Sequence, residues 1–69
     1  MSAMIRMYAD NGEGLMVRTG RSFATVDKAR ERAKELRAKQ VEIRDDAKPM
    51  SKRLLTVFVQ GVELVPTLH

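Results

Sequence analysis

The chain has 69 residues, of which 43% are hydrophobic and 32% are charged, and its formal net charge is +4. Such a length forms one small domain and leaves no room for a second hydrophobic core. The chain has no cysteine and one histidine, which excludes disulfides and a zinc site of the usual Cys/His type. A domain this small buries little surface, so self-association is a natural source of further stability.

The composition also limits the cellular setting and the kind of partner. No stretch approaches the roughly 18 apolar residues of a membrane span, and the N-terminal sequence lacks the basic start and apolar run of a secretory signal peptide. We therefore expect a cytoplasmic protein that does not bind membranes. Its positive charge favours an anionic partner, such as nucleic acid, a ribonucleoprotein or an acidic protein surface.

The N-terminal part of the chain is typical of a β-hairpin. Alternating side chains predict a strand over 3–8 and a returning strand over 15–19. Between them, Asn11, Gly12 and Gly14 provide the positive φ angles of a tight turn. The hairpin residues predicted to face the core are Ile5, Met7, Leu15 and Val17.

Residues 25–40 are predicted to form a basic amphipathic helix. Apolar residues recur at helical spacing along one side, at Val26, Ala29, Ala33 and Leu36. Thr25 is the expected N-cap, because its hydroxyl can accept a hydrogen bond from an amide of the first turn. Arg37 and Lys39 in the last turn suit the negative end of the helix dipole. Phe23, just upstream, is expected to close the edge of the core.

A third strand and a loop follow the helix. Alternation predicts a strand over 40–44 with Val41 and Ile43 facing inward and Glu42 and Arg44 facing outward. The following segment, 45–52, contains a proline and paired acids, which are typical of a loop.

The segment 53–60 is apolar on both of its faces and is predicted to be a buried strand. Strict alternation divides its apolar residues into an inward set, Leu55, Val57 and Val59, and an outward set, Leu54 and Phe58. Gly61 marks a bulge or tight turn. Residues 62–65 are either a last strand or a continuation of this one.

The order of the elements predicts an α+β fold. We expect a single ββαββ domain over 1–69, with a mostly antiparallel sheet of four or five strands and one helix packed on one face. Because one helix covers only one face of the sheet, the other face is available for function.

Catalysis is not expected. A nucleophile needs an adjacent base, usually a histidine near neutral pH, and the only histidine is His69. Asp45 and Asp46 could bind a divalent cation, but paired acids in a turn are typical of a solvated loop. No glycine-rich phosphate-binding motif is present. We therefore predict no enzymatic activity, no cofactor and no metal site.

Basic residues are the first candidates for binding. The helix carries cations on both flanks of its apolar side, and arginines also occur in the hairpin. Opposite charges recur at i, i+3 and i, i+4 along the helix, so these side chains also fit an ordinary solvated face. If they bind a partner, the residues that contact phosphates or acidic side chains are Arg6, Arg18, Arg21, Lys28, Arg32 and Lys39.

The sheet face away from the helix is the second candidate. Its predicted residues form an apolar patch edged by arginines: Met4, Tyr8, Met16, Leu54 and Phe58. An exposed patch rich in Met and aromatic side chains is typical of an interface. In one interpretation, two copies stack these faces as a homodimer. In the other, Tyr8 and Phe58 stack bases while Arg6 and Arg18 hold phosphates.

The size and strand–helix order around RTGRSFATVDKARERAKELRAK resemble those of small proteins encoded by phages and mobile elements, some anti-CRISPR proteins among them. The resemblance implies a stoichiometric binder that blocks a larger machine through a charged surface. Our first hypothesis is a non-enzymatic and dimeric protein that engages nucleic acid or a nucleoprotein complex through basic residues. The alternatives are a phage-type inhibitor that binds a host protein complex, and a homodimeric structural or assembly protein.

Overall fold

The computed structural model of the chain describes residues 3–64. Its elements are β1 (Ile5–Asp10), β2 (Met16–Phe23), α1 (Val26–Leu36), β3 (Val41–Asp45), a short 3₁₀ helix (Met50–Lys52), β4 (Leu54–Val59) and β5 (Val62–Leu64). The strands form one sheet in the order β2-β1-β3-β4-β5, and every neighbouring pair is antiparallel. The helix packs across this sheet, mainly on β1 and β3. The predicted α+β class is therefore confirmed.

The predicted hairpin is present, but β2 is longer than expected. It continues through Gly20 to Phe23, where the sequence predicted that the chain would leave the sheet. Between the cross-strand pairs made by Ile5 and Met7, β2 contains two more residues than β1. This large bulge is possible because Gly20 adopts a φ of +69°, a conformation that L side chains rarely adopt.

The helix begins where predicted and ends earlier. The Thr25 hydroxyl accepts a hydrogen bond from the Lys28 amide at 3.3 Å, as expected of an N-cap. The helix stops at Leu36 because Arg37 turns into the left-handed region, with a φ of 50°. The Gln60 amide then binds the Ala38 carbonyl at 3.0 Å. The prediction of a helix up to Gln40, with Lys39 in its last turn, was therefore wrong.

The core lies between α1 and the sheet face beneath it. Its buried hydrophobic residues are Ile5, Met7, Ala9, Ala29, Ala33, Val41, Ile43 and Phe58, and Phe23, Val26, Leu36, Ala38 and Leu55 pack around them. Leu15 and Val17 were predicted to belong to it, but they are 63% and 46% exposed. They lie near the turn of the hairpin, and α1, packed mainly on β1 and β3, leaves them uncovered.

The largest departure from the sequence prediction is the orientation of β4. Across β3, Ile43 pairs with Thr56 and the next residue, Arg44, pairs with Leu54, so Leu55 is an extra residue in a β-bulge. The bulge puts Leu54 and Phe58 on opposite faces, whereas strict alternation had put both outside.

Phe58 was predicted to face outward, and it is instead fully buried under the helix. Val57 and Val59 were predicted to face inward, but their cross-strand pairing places them on the outer face. This orientation buries the largest apolar side chain of the strand. It also buries Thr56, whose hydroxyl donates to Glu63 at 2.8 Å and so keeps a hydrogen bond.

The C-terminal strand is separate from β4. Gln60 and Gly61 form the two-residue turn between them, with φ angles of 51° and 82°. Gly61 is required at this position for a second reason, because an added Cβ would lie 3.2 Å from the Lys34 carbonyl oxygen. Val65, the last residue of the predicted strand, lies outside the described residues.

Candidate functional site

Among the described residues, 3–64, no group of three or more His, Cys, Asp or Glu residues is placed to hold a metal ion. None of the helices in that range is long and apolar enough to cross a membrane. His69, the only histidine of the chain, lies outside the described residues.

The acidic pair after β3 has a structural role that the sequence did not indicate. Asp45 is only 4% exposed, and its carboxylate accepts hydrogen bonds from the Met4 amide at 2.9 Å and the Ala47 amide at 3.1 Å. The bond from Met4, opposed by burial and aided by the bond from Ala47, lowers the pKa of Asp45. The expectation of a solvated loop residue was therefore wrong for Asp45, because its carboxylate fastens the start of β1.

A polar network occupies the centre of the outer sheet face. The Tyr8 hydroxyl donates to the Asp46 carboxylate at 2.5 Å, and Arg6 contacts the same oxygen at 3.4 Å. The Arg44 guanidinium lies 4.2 Å from the centre of the Tyr8 ring and donates to Glu42 at 2.8 and 2.5 Å. Arg6 and Tyr8, both predicted binding residues, are thus engaged within the chain.

These contacts change the interpretation of the outer face as a platform for bases. Phe58, one of its two predicted stacking residues, is buried in the core. Tyr8, the other, has Arg44 over its ring. The predicted stacking of bases between these two aromatic residues is therefore wrong.

A second charged cluster joins α1 to β5, one of the two edge strands of the sheet. Arg30 donates to Glu63 at 2.6 Å, and Glu63 also accepts from Thr56. The hydrogen bond from Arg30 is the main cause that lowers the pKa of Glu63, while the same bond raises the pKa of Arg30. No sequence pattern indicates this cluster, because Arg30 and Glu63 are 33 residues apart.

Four of the five remaining predicted basic residues lie around β2, at the opposite edge of the sheet. Arg18 pairs across the strands with Tyr8 and so lies on the outer face, whereas Arg21 is in the bulge of β2. Lys28 and Arg32 are on the helix, and Arg32 adjoins β2. We call these four residues the basic surface. Lys39 lies apart from them in the connection to β3, where the Gln60 amide donates to the neighbouring Ala38 carbonyl at 3.0 Å.

The basic surface retains most of its charge. Within residues 3–64, its members Arg18, Arg21 and Lys28 form no ion pair, and all three are exposed. Arg32 contacts Glu35 at 3.2 Å, but both side chains are more than half exposed, and such a pair contributes little energy. These side chains can therefore exchange water for an anionic partner at low cost.

A small depression lies beside the basic surface, between β2 and α1. It measures about 90 Å³ and is lined by Met7, Thr19, Gly20, Phe23, Arg32 and Leu36. Its apolar lining comes from the edge of the core, and Arg32 provides a charged group at the same place. The structure thus places Arg32 beside β2. The sequence predicted only that Arg32 and the hairpin arginines belong to one group of binding residues.

The outer face also has an exposed apolar region, but its residues differ from those predicted. We call it the apolar stripe; it runs along β4 and β5 and consists of Leu54, Val57, Val59, Val62 and Leu64. Val62 is 63% exposed and Leu64 49% exposed. Of the predicted interface residues, only Leu54 belongs to it, since Met4, Tyr8 and Met16 lie towards β1 and β2. A shallow depression of about 310 Å³, lined by Glu42, Arg44, Met50, Arg53 and Leu54, adjoins it.

Comparison with protein-family models, with curated proteins and with solved structures finds no match to the chain.

Proposed function

We propose that this chain is a non-enzymatic binding protein that engages an acidic protein surface through its basic surface. One observation carries the proposal: Arg18, Arg21 and Lys28, the exposed cations of β2 and the adjoining helix start, form no ion pair with the rest of residues 3–64. Other arginines are paired with acids inside the fold, as in the contacts of Arg44 with Glu42 and of Arg30 with Glu63. Part of the positive charge of the chain is therefore unpaired on a surface that a partner can reach.

Two features favour a protein partner over nucleic acid. No aromatic ring of the described residues is free to stack a base, since Phe58 is buried, Phe23 packs on the core and Tyr8 is covered by Arg44. The exposed helix face also interleaves acids with its cations, at Glu31 and Glu35, which repel a phosphate backbone. An acidic protein surface of mixed charge can complement this pattern.

The inhibitor hypothesis is a special case of this proposal. A small chain with exposed cations can occupy an acidic surface of a larger complex, or compete there with other basic ligands. The resemblance to small proteins of phages and mobile elements supports this case, and the identity of the captured partner tests it.

The test compares two double variants with the same change of charge. Arg18→Glu with Arg21→Glu alters the basic surface, whereas Lys48→Glu with Lys52→Glu alters the loop before β4. Each immobilised chain is incubated with a nuclease-treated lysate of the cells that express it, and the captured protein is then purified and its affinity measured. We expect capture by the wild type and the loop variant and loss with the basic-surface variant. Equal binding by both variants would contradict the proposal.

A parallel measurement addresses nucleic acid directly. Fluorescence anisotropy with duplex DNA and single-stranded RNA at about 50 and 200 mM salt reports phosphate contacts, because such binding weakens steeply with salt. We expect weak binding without preference for either nucleic acid. Tight binding that is lost in the basic-surface variant, together with capture of protein only from lysate that has not been treated with nuclease, would replace the protein partner with nucleic acid.

The apolar stripe favours a second property, self-association, and we propose that two copies pack their stripes together. The buried core is small and three of its eight hydrophobic residues are alanines, so further apolar burial stabilises the fold appreciably. The charged neighbours Glu42 and Arg44 neutralise each other, which lets a second copy approach without burying an unpaired charge.

Val62 and Leu15 provide a matched test of this dimer, since both are 63% exposed. Val62 lies in the stripe and Leu15 lies near the hairpin turn. We expect the wild type and Leu15→Glu to be dimers by analytical ultracentrifugation and Val62→Glu to be a monomer, across about 5 to 500 µM protein. A monomeric wild type throughout that range would exclude the dimer.

A further inference from the structure

The strand at the basic edge of the sheet is unusually open. β2 is eight residues long and pairs only with β1, and most of its side chains are exposed. One side of an edge strand carries backbone N–H and C=O groups without a partner strand, which another extended segment can bind. Within residues 3–64, the other edge strand, β5, has three residues, so its described part offers a shorter template.

The depression between β2 and α1 lies next to this open edge. Its lining includes the apolar side chains of Met7, Phe23 and Leu36, and its volume is about 90 Å³. An apolar cavity of roughly 150 Å³ holds a benzene molecule, so this smaller space suits a branched aliphatic side chain. Gly20, also in the lining, leaves the entrance open, since an added Cβ would meet no atom within 4 Å.

The charge around this edge specifies which segment can bind. Arg32 lines the depression, and Arg18 and Arg21 are exposed on β2 without ion pairs to any of residues 3–64. Carboxylates that flank an aliphatic residue can therefore pair with these guanidinium groups. The same arginines would repel each other if two copies of β2 came together, which disfavours a second copy as the occupant.

From these three features we infer that β2 receives an extended acidic segment of the partner as an added strand. An aliphatic side chain of that segment fills the depression between β2 and α1, and its acidic neighbours pair with Arg32 and the arginines of β2. The backbone bonds supply affinity, while the depression and the cations select the sequence. This inference rests on the proposed function and adds the chemistry of the partner and its mode of binding.

The test uses the full ¹⁵N-labelled chain and a synthetic peptide as the probe. The probe has about ten residues, with Val at the centre and Glu at the two positions on each side of it, so that carboxylates lie on both faces of the added strand. It is titrated to about 1 mM and followed by NMR. We expect amide shifts concentrated in 16–23, slower hydrogen exchange at solvent-facing amides of β2, and a shift of the Arg32 guanidinium signal. The same peptide with Ser in place of Glu is expected to bind about tenfold more weakly. Shifts confined to the exposed helix face would overturn strand addition.

A charge-matched pair of variants separates local contacts from net charge. Arg32→Glu and Lys52→Glu change the charge equally, but Lys52 lies in the 3₁₀ helix before β4, away from β2. We expect Arg32→Glu to weaken peptide binding about tenfold and Lys52→Glu to weaken it less than about twofold. Equal weakening would contradict a site at the depression.

Failure of strand addition can be distinguished from failure of the proposed function. If the double variant of Arg18 and Arg21 loses the captured protein while that protein leaves the β2 amides of the wild type unprotected, the partner binds by side chains alone. Strand addition is then wrong and the proposed function stands. Protection of those amides by the captured protein supports both.

Discussion

The two edges of the sheet are built in opposite ways. At the β5 edge, Glu63 joins the strand to α1 through Arg30 at 2.6 Å and to β4 through Thr56 at 2.8 Å. At the β2 edge, no ion pair among residues 3–64 joins the strand to the helix. There the attachment is mainly apolar, through the partly buried Phe23.

This difference explains how one small domain can present two kinds of surface. Near β5, Glu63 is paired with Arg30, and the outer side chains of the strand, Val62 and Leu64, are apolar and compatible with self-association. Charges near β2 remain exposed, so that edge can bind an anion without first breaking internal contacts. The comparison predicts that disruption near β5 reduces the stability of the fold, whereas disruption near β2 mainly affects binding.

The largest expected effect comes from the core beneath the β5 side. Phe58→Ala removes a fully buried aromatic side chain and should lower the free energy of unfolding by about 3–5 kcal/mol. Urea unfolding followed by circular dichroism measures this loss. Since the variant could be largely unfolded, Phe58→Leu provides a milder test, with an expected loss below that of the alanine variant.

Leu54→Ala is the control for that prediction. Leu54 is 39% exposed and was predicted from the sequence to share a face with Phe58. The bulge at Leu55 separates them, so the Leu54 variant should cost clearly less stability. Similar losses for the two alanine variants would mean that the bulge is misplaced.

This pair of residues also shows what the sequence could and could not predict. Short-range patterns predicted the hairpin, the Thr25 cap and the apolar side of α1, because each depends on neighbours within a few residues. The bulge left no such pattern, since both faces of segment 54–59 carry apolar residues in either orientation. Alternation alone therefore placed Phe58 on the wrong face.

The candidate site was predictable to a similar degree. The sequence identified the basic residues and predicted Arg32 on the flank of the helix. The structure places Arg32 on α1, beside β2 of the hairpin. The sequence could not separate paired from unpaired cations, because pairing depends on distant contacts such as that of Arg30 with Glu63, 33 residues away. The role of Asp45 was missed for the same reason, since it binds the amide of Met4, 41 residues away.

An intermediate loss of stability is expected from Glu63→Gln, because this variant removes the charge through which β5 binds Arg30 of the helix. The pKa of Glu63 is lowered in the folded chain, mainly by its bond from Arg30. Its contribution is therefore present above the unfolded value of about 4.3 and is lost as the pH falls through the lowered folded value. The variant should unfold at a lower temperature than the wild type at pH 7, and the difference should shrink in acid.

Glu35→Gln serves as the matched control for the pH dependence. Glu35 also pairs with an arginine, but its side chain is 68% exposed, so its removal should change the melting temperature little at any pH. Calorimetry of both variants between about pH 2 and 7 measures the contrast. A constant difference between Glu63→Gln and the wild type across this range would mean that the charge of Glu63 does not stabilise the β5 edge.

The smallest effect is expected where β2 leads into the helix. Thr25 caps α1 two residues after the end of β2, and Thr25→Ala should lower the free energy of unfolding by about 1 kcal/mol. Ser22→Ala, in the exposed bulge of β2, should have less effect because no hydrogen bond of its side chain is found among residues 3–64. Peptide binding at β2 should survive Thr25→Ala at temperatures where the fold is intact. If Thr25→Ala weakened peptide binding while the fold persisted, binding at the β2 edge would depend on the start of the helix. Stability and binding could then not be assigned to separate edges of the sheet.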